Sequence, residues 1–243
     1  MKYGVQLYSL RKMIESNGLE EAIKTVAFAG YQGVEFAGFY GYSPNKIKSL
    51  LKKYELIAIS AHIQAEAVED YIEYVNVLNI KRVYTAGISN EFWSDENYSE
   101  TICQHKKALD FLNKREISFG YHNHAHEYKD GKDLVGKITD DVLGMKIELD
   151  IGWLTDAGRD VVETMKAYEN KLEIIHIKEL QKGAPNNPAP LVGKGSVDML
   201  GALKEAKRQR LEWGIVEVEY FDMPEKEYLS KSLKNIKEIE KTL

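Results

Sequence analysis

Short runs of apolar and β-branched residues recur along the chain and predict eight β-strands. The 243 residues divide into units of roughly 30, the spacing expected when strands and helices alternate in an eight-unit barrel. The predicted strands are Tyr3–Leu7, Gly33–Phe36, Ile57–Ile63, Arg82–Ala86, Ile117–Asn123, Met145–Asp150, Ile174–Ile177 and Gly214–Tyr220.

The segments between these strands carry apolar residues at helical spacing. Gly30 is expected to end the first stripe as a C-cap, and Ser43 and Pro44 to begin the second helix as N-cap and first residue. Ser196 is the expected cap of a later helix, and the mostly charged segment 225–241 is expected to lie outside as the last helix. The stripes are Leu19, Ala22, Ile23, Val26 and Ala27; Ile47, Leu50, Leu51 and Tyr54; Val68, Ile72, Val75 and Leu78; Ile102, Leu109 and Leu112; and Leu200, Leu203 and Ala206.

Alternating strands and helices indicate a parallel sheet, and eight units favour its closure. We therefore predict a single (β/α)8 TIM barrel that occupies residues 1–243 as one domain, since no shift in composition marks a boundary. The proline-rich stretch Gly183–Pro190 follows the seventh strand. In a barrel it would overhang the C-terminal face, either as a lid or as a simple surface loop.

Composition narrows the class of protein. Lys and Arg number 33 against 38 Asp and Glu, a net charge of −5, which argues against a nucleic-acid partner. The single cysteine, Cys103, excludes a disulfide framework and a multi-cysteine zinc site. With neither a signal-peptide pattern nor an apolar run of the ~20 residues that cross a bilayer, we expect a soluble, cytoplasmic protein without a membrane partner. A homo-oligomer stays open, because Phe39–Tyr42 could pack on a second copy or on the barrel rim.

Polar residues gather where the predicted strands end. Because side chains alternate along a strand, those sharing the inward face should enter one cavity. Five of the six histidines lie at or just after a strand end, and only His105 lies within a helix. The residues of this face are Gln6, Glu35, His62, Ser118, Gly120, His122, His124, Glu148, Asp150, His176, Lys178, Glu217 and Glu219.

Carboxylates and imidazoles converging on one cavity suit a divalent metal, namely Mn²⁺, Zn²⁺, Co²⁺ or Mg²⁺. A buried cluster that includes Asp150 and Glu217 needs a cation or protons to offset desolvation. One divalent ion is therefore the expected cofactor. The run Gly193–Ser196 resembles a weak phosphate cradle, although a turn before a capped helix explains it equally well.

The motifs together resemble the xylose isomerase-like barrel superfamily, the group of sugar and sugar-phosphate isomerases and epimerases. They run through the chain in the family's order: GVQLYSLR, GYQGVEFAGFYG, SAHI, GYHNHAHEY, ELDIGWLTDAG, HIKE, GKGSVD and IVEVEYFD. The resemblance implies one metal at the barrel mouth, with Asp150, His176 and Glu217 as ligands from the sixth, seventh and eighth strands.

The fifth strand departs from the family's sugar epimerases, which carry Glu where this chain has His122. Glu127, five residues later, could supply that carboxylate instead. The departure is similar to the branch of inosose dehydratase-like and keto-glycoside-processing members, and it weakens a two-glutamate epimerisation scheme.

We therefore expect a sugar or sugar-phosphate isomerase or epimerase that acts on a small carbohydrate through an enediolate. The candidate catalytic residues are Glu127, Glu217, His124 and His62; the candidate substrate contacts are Glu35, Trp153, Lys178 and Gln6; and the candidate metal ligands are Asp150, His176, Glu217 and His122. The same chemistry supports a dehydratase or lyase acting on an inosose or 3-keto-glycoside. A non-catalytic sugar-binding barrel and an apurinic endonuclease are weaker alternatives, the latter because it needs several zinc ions and a basic DNA track.

Overall fold

Eight parallel strands pair in sequence order, and the eighth closes on the first, in a computed structural model that describes residues 1–87 and 95–243. This arrangement confirms the predicted (β/α)8 TIM barrel. The strands are β1 Lys2–Gln6, β2 Gly33–Ala37, β3 Ile57–His62, β4 Arg82–Ala86, β5 Ser118–His122, β6 Lys146–Asp150, β7 Leu172–Lys178 and β8 Trp213–Glu217.

The helices surround the sheet and begin and end largely where local chemistry predicts. Gly30 adopts φ 96°, which suits a residue without Cβ, and ends the second helix. The Ser43 side chain accepts a hydrogen bond from the Lys46 amide, with Pro44 in the first turn. The described α-helices are α1 Arg11–Asn17, α2 Leu19–Ala29, α3 Pro44–Lys53, α4 Ile72–Val77, α5 Asp95–Asn113, α6 Leu134–Asp141, α7 Ile151–Asp156, α8 Val161–Ala167, α9 Met199–Arg208 and α10 Glu225–Glu240.

Most strand boundaries lie one or two residues from the predicted ones, and two boundaries differ for a reason that the structure shows. Strand β8 ends at Glu217 and not at Tyr220, because its partner β7 ends at Lys178, which lies opposite Glu217. Helix α9 is capped by Asp198, which accepts from the Gly201 amide at 2.9 Å, and not by Ser196. The Ser196 hydroxyl instead accepts from the Lys182 amide across the preceding loop.

Helix α10 was expected to lie outside, but one of its faces is buried. Tyr228, Leu229, Leu233 and Ile236 are almost fully covered, and α10 packs against α2. Leu229, Leu233 and Ile236 are spaced four and three residues apart, with Tyr228 beside Leu229, so they form the apolar stripe of an amphipathic helix. The charged residues occupy the opposite face.

Inside the barrel, apolar side chains lie beneath a polar layer. Ile59, Tyr84, Ile174, Trp213 and Ile215 form a buried cluster separate from the main core. Because side chains alternate along a strand, the residues two positions beyond Ile174 and Ile215 share their face and lie nearer the C-terminal end of the barrel. Among the described residues, no helix is both long and apolar enough to cross a membrane.

Candidate functional site

Four metal-type ligands converge at the C-terminal ends of β5–β8. His122, Asp150 and Glu217 are the last residues of their strands, and His176 lies opposite Asp150 in the register of β6 and β7. All four are buried, and each offers a ligand atom within 4.8 Å of the others. This mouth group, defined as His122, Asp150, His176 and Glu217, unites the four expected ligands.

One observation besides the residue types indicates that the mouth group can hold a divalent cation. Asp150 Oδ1 accepts from the Trp153 amide at 2.8 Å, whereas Oδ2 is buried without a hydrogen-bond donor among the described residues. Burial raises the pKa of Asp150 to about 7. A buried acceptor without a donor is costly, and a cation would satisfy it.

Lys178 brings a fixed positive charge to the same carboxylates. Its Nζ lies 2.8 Å from Glu217 Oε2, 2.9 Å from Glu219 Oε1 and 3.7 Å from Asp150 Oδ2. Burial disfavours the charged amine, but these carboxylates outweigh burial and raise its pKa above the ordinary value. In turn, the charges of Lys178 and His176 hold the pKa of Glu217 well below its usual range despite burial.

Glu35 and Glu148 lie deeper in the barrel, each two residues before the end of its strand, and both contact His62, the last residue of β3. His62 Nε2 lies 2.6 Å from Glu148 Oε2 and 3.2 Å from Glu35 Oε1. Burial opposes protonation of His62, yet the two carboxylates raise its pKa to about 10. The sequence analysis placed Glu148 on the inward face but gave it no role. Its position two residues before Asp150 was the signal that it shares the face of that expected ligand.

His62, His122, Glu148 and His176 also offer ligand atoms within 4.8 Å of one another. Here Glu148 Oε2 already bonds the His62 imidazole at 2.6 Å, and Glu148 lies two residues before the end of β6. The mouth group is therefore the better candidate for a metal that meets substrate.

The four expected substrate contacts lie at different depths. Gln6 and Glu35 are fully buried and joined by a 2.7 Å hydrogen bond from Gln6 Nε2 to Glu35 Oε1. Trp153 is partly exposed beside Lys178, whose Nζ lies 4.9 Å from the indole centroid. Trp153 Nε1 is buried and has no acceptor among the described residues, so it can donate to a hydroxyl group.

Glu127 and His124 belong to a third group, together with His126. Glu127 is fully buried and accepts from the Tyr121 hydroxyl and the His124 amide, at 2.7 and 2.8 Å. Burial raises the pKa of Glu127 and lowers that of His124 to about 4, so the His124 ring is neutral near neutral pH. His124 lies between His122 and Trp153, with ring centroids 5.2 and 6.0 Å away.

The Gly193–Ser196 loop directs its amides to a carboxylate of the protein itself. Glu179, which is buried, accepts from the amides of Gly193, Val197 and Leu180 at 2.9, 3.1 and 3.2 Å. An internal anion thus occupies the cradle considered for phosphate. The preceding proline-rich stretch overhangs the mouth, since Pro185 and Asn187 line a small cavity with Trp153 and Lys178.

A larger cavity of about 640 Å³ lies at the opposite end of the barrel. Ile57, Arg82 and Trp213, each near the start of a strand, are among its lining residues. None of the candidate residues lines it, so its size does not identify it with the chemistry at the mouth.

The sequence profile of the xylose isomerase-like TIM barrel family matches residues 23–239, most of the chain. The chain belongs to this family. An inosose dehydratase from Clostridium perfringens is 23% identical over 195 residues, which cover 69% of this chain and 66% of that relative. The matched region is thus slightly less than two thirds of the dehydratase's length.

Two solved structures with a similar fold are described by different reactions. The probable 3-DHS dehydratase AsbF from Bacillus anthracis has a TM-score of 0.78 at 16% identity, covering 98% of this chain and 99% of its own. The D-allulose 3-epimerase from Methylomonas sp. has a TM-score of 0.76 at 16% identity, covering 98% and 96%. At such identities the likeness shows the fold alone.

Proposed function

We propose that this protein is a metal-dependent enzyme that removes a proton beside the carbonyl group of a small carbohydrate, acting as a sugar isomerase or epimerase. The observation that carries the proposal is the mouth group, in which His122, Asp150, His176 and Glu217 meet at four successive strand ends. Membership of the xylose isomerase-like family supports the substrate class.

His122, Asp150, His176 and Glu217 would hold the divalent ion, Mn²⁺, Zn²⁺, Co²⁺ or Mg²⁺. When bound, the ion supplies Lewis acidity that makes the C–H bond beside a substrate carbonyl easier to ionise.

We assign proton removal to Glu217, whose carboxylate lies at the mouth beside the other expected ligands. Lys178 donates to Glu217 and can supply a hydrogen bond to negative charge that develops on substrate oxygen. His124 and His62 are the candidate proton carriers, and we propose that Glu127 holds the His124 backbone in place. Positioned proton transfer of this kind contributes roughly 10²–10⁴-fold to rate.

A second candidate function is dehydration through the same enolate. Two points favour it: the resemblance implies Glu in the family's sugar epimerases where this chain has His122, and the Clostridium perfringens relative is an inosose dehydratase. If a leaving group lies β to the carbonyl, loss of that group competes with return of the proton.

The test is proton exchange in D₂O with a panel of ketoses, inososes and 3-keto-glycosides, in the presence of Mn²⁺ or Zn²⁺. Deuterium entering beside the carbonyl of a ketose, with conversion to an epimer or isomer, supports the first candidate. Formation of an enone absorbing in the ultraviolet supports the second. Ligand binding without exchange or elimination would contradict both and favour a sugar-binding barrel.

We propose no nucleic-acid partner, because the net charge of −5 disfavours binding to phosphate backbones. Cleavage of a duplex with an abasic site, declining steeply with added salt, would contradict this view.

A further inference from the structure

Glu35 touches a proposed metal ligand from below, although it was expected to touch substrate. We propose that Glu35 is a positioning residue that fixes the His176 ring, so that Nε2 keeps its proton and Nδ1 faces the metal. The inference rests on the proposed metal centre and assigns a role to a carboxylate outside the mouth group.

The first step is the contact itself. Glu35 Oε1 lies 2.7 Å from His176 Nε2, the shorter of the two carboxylate contacts to that nitrogen. The other contact, from Glu148 Oε2, measures 3.3 Å, and the Glu148 carboxylate is closer to His62. A carboxylate that bonds an imidazole nitrogen favours the tautomer with a proton on that nitrogen.

The second step is the opposite edge of the ring. His176 Nδ1 lies 3.1 Å from Glu217 Oε2 and 4.0 Å from Asp150 Oδ2, so it faces the carboxylates of the mouth group. With the proton on Nε2, the Nδ1 lone pair points where those oxygens converge. Histidine ligands commonly donate their other ring N–H to a carboxylate in this way.

The third step is the rigidity of Glu35. Gln6 donates to Oε1 at 2.7 Å, and the Ser60 hydroxyl donates to Oε2. Both donors lie on strands that flank β2, with Gln6 and Ser60 each opposite Glu35 in the register. The carboxylate is fully buried, so substrate would have to displace this layer to reach it.

The test compares Zn²⁺ affinity by competition with a chromophoric chelator, without substrate. Glu35→Gln preserves the side-chain size but removes the charge, and we expect roughly 10- to 100-fold weaker binding than wild type. Glu173→Gln is the matched control: this carboxylate lies near the start of β7, on the same strand as His176, and accepts from Tyr84 and Ser118. We expect the control to bind Zn²⁺ as wild type does.

A second measurement needs no variant. In Zn²⁺-loaded wild-type protein with ¹⁵N-labelled histidine, long-range ¹H–¹⁵N correlations should show His176 protonated at Nε2 and ligated through Nδ1. Ligation through Nε2, or equal Zn²⁺ affinity of folded Glu35→Gln and wild type, would overturn the inference alone. Normal Zn²⁺ binding without proton exchange would instead contradict the proposed function, and absence of Zn²⁺ binding to wild type would overturn both.

Discussion

Lys178 and the carboxylates around it dominate the electrostatics of the mouth. One ammonium group is shared by Glu217, Glu219 and Asp150, and the lysine is 2% exposed. Water therefore screens these charges weakly, and a nearby cation is needed to offset the repulsion between the carboxylates.

Replacing Lys178 by Met should expose that repulsion. Removing one partner of a buried ion pair typically costs about 3–5 kcal/mol, because it leaves buried charge uncompensated. We expect the metal-free Lys178→Met protein to lose about this much unfolding free energy in a urea titration, and added Zn²⁺ to restore part of it. The exposed Lys194→Met serves as the control. A loss no larger than that of the control would contradict this view of the mouth.

For single residues, the alternation of side chains along a strand was enough to predict that Asp150, His176 and Glu217 face inward. The depth of each side chain in the barrel could not be predicted, because inward-facing residues two positions apart on a strand look alike in sequence. Glu35 and Glu148 thus proved to lie in a deeper layer, whereas Trp153, on a helix, reaches the mouth itself.

Helix α10 shows how an element that appears solvated can be half-buried. Leu229 is fully buried, and the helix packs against α2, where a large-to-small change leaves a cavity. We expect Leu229→Ala to lower the unfolding free energy by about 2–5 kcal/mol in a urea titration. The exposed Lys234→Ala on the same helix should change it little. Equal effects of the two substitutions would contradict the packing described.

Helix α5 contains the histidine that stands apart from the mouth. His105 is buried, its Nδ1 bonds the Thr101 carbonyl, and its ring packs 5.9 Å from Phe119. Burial lowers its pKa below the ordinary 6.5, although the hydrogen bond to the Thr101 carbonyl and the charge of Glu66 partly oppose this. His105 thus packs against Phe119 and is not part of the mouth group.

The lowered pKa of His105 makes the folded protein less stable as the pH falls. As the pH falls below about 6.5, the unfolded chain protonates His105 more readily than the folded protein, so its contribution is complete above that pH and is lost below it. We expect wild type to lose more unfolding free energy than His105→Leu between about pH 7 and pH 5. The remaining histidines are common to both proteins and cancel in the comparison. A difference that stays constant with pH would contradict the shift.

Element boundaries were predicted where one local interaction decides them, as at Gly30 and Ser43. They were missed where tertiary contacts decide. Asp198 caps α9, whereas the Ser196 hydroxyl accepts a hydrogen bond from the Lys182 amide. Similarly, the Gly193 amide donates to Glu179, which is distant from it in sequence.

For the molecule as a whole, the order and number of strands followed from the spacing of apolar runs, because a parallel barrel repeats one local unit. Closure then brings four strand ends together, and this explains why ligands scattered over some hundred residues of sequence form one group. The identity of the proposed substrate could not be predicted, because loops such as Gly183–Pro190, which contributes to the mouth, lie outside the periodic strands.

Metal content tests the central claim most directly. Wild type, Asp150→Asn, His176→Ala and the control Asp156→Asn would be purified, shown to be folded by circular dichroism, incubated with Mn²⁺ or Zn²⁺, desalted, and measured by plasma mass spectrometry. We predict close to one ion per chain in wild type and the control, and loss of that ion in Asp150→Asn and His176→Ala. Wild type without metal, or equal metal in all four proteins, would contradict a metal centre at the mouth of this barrel.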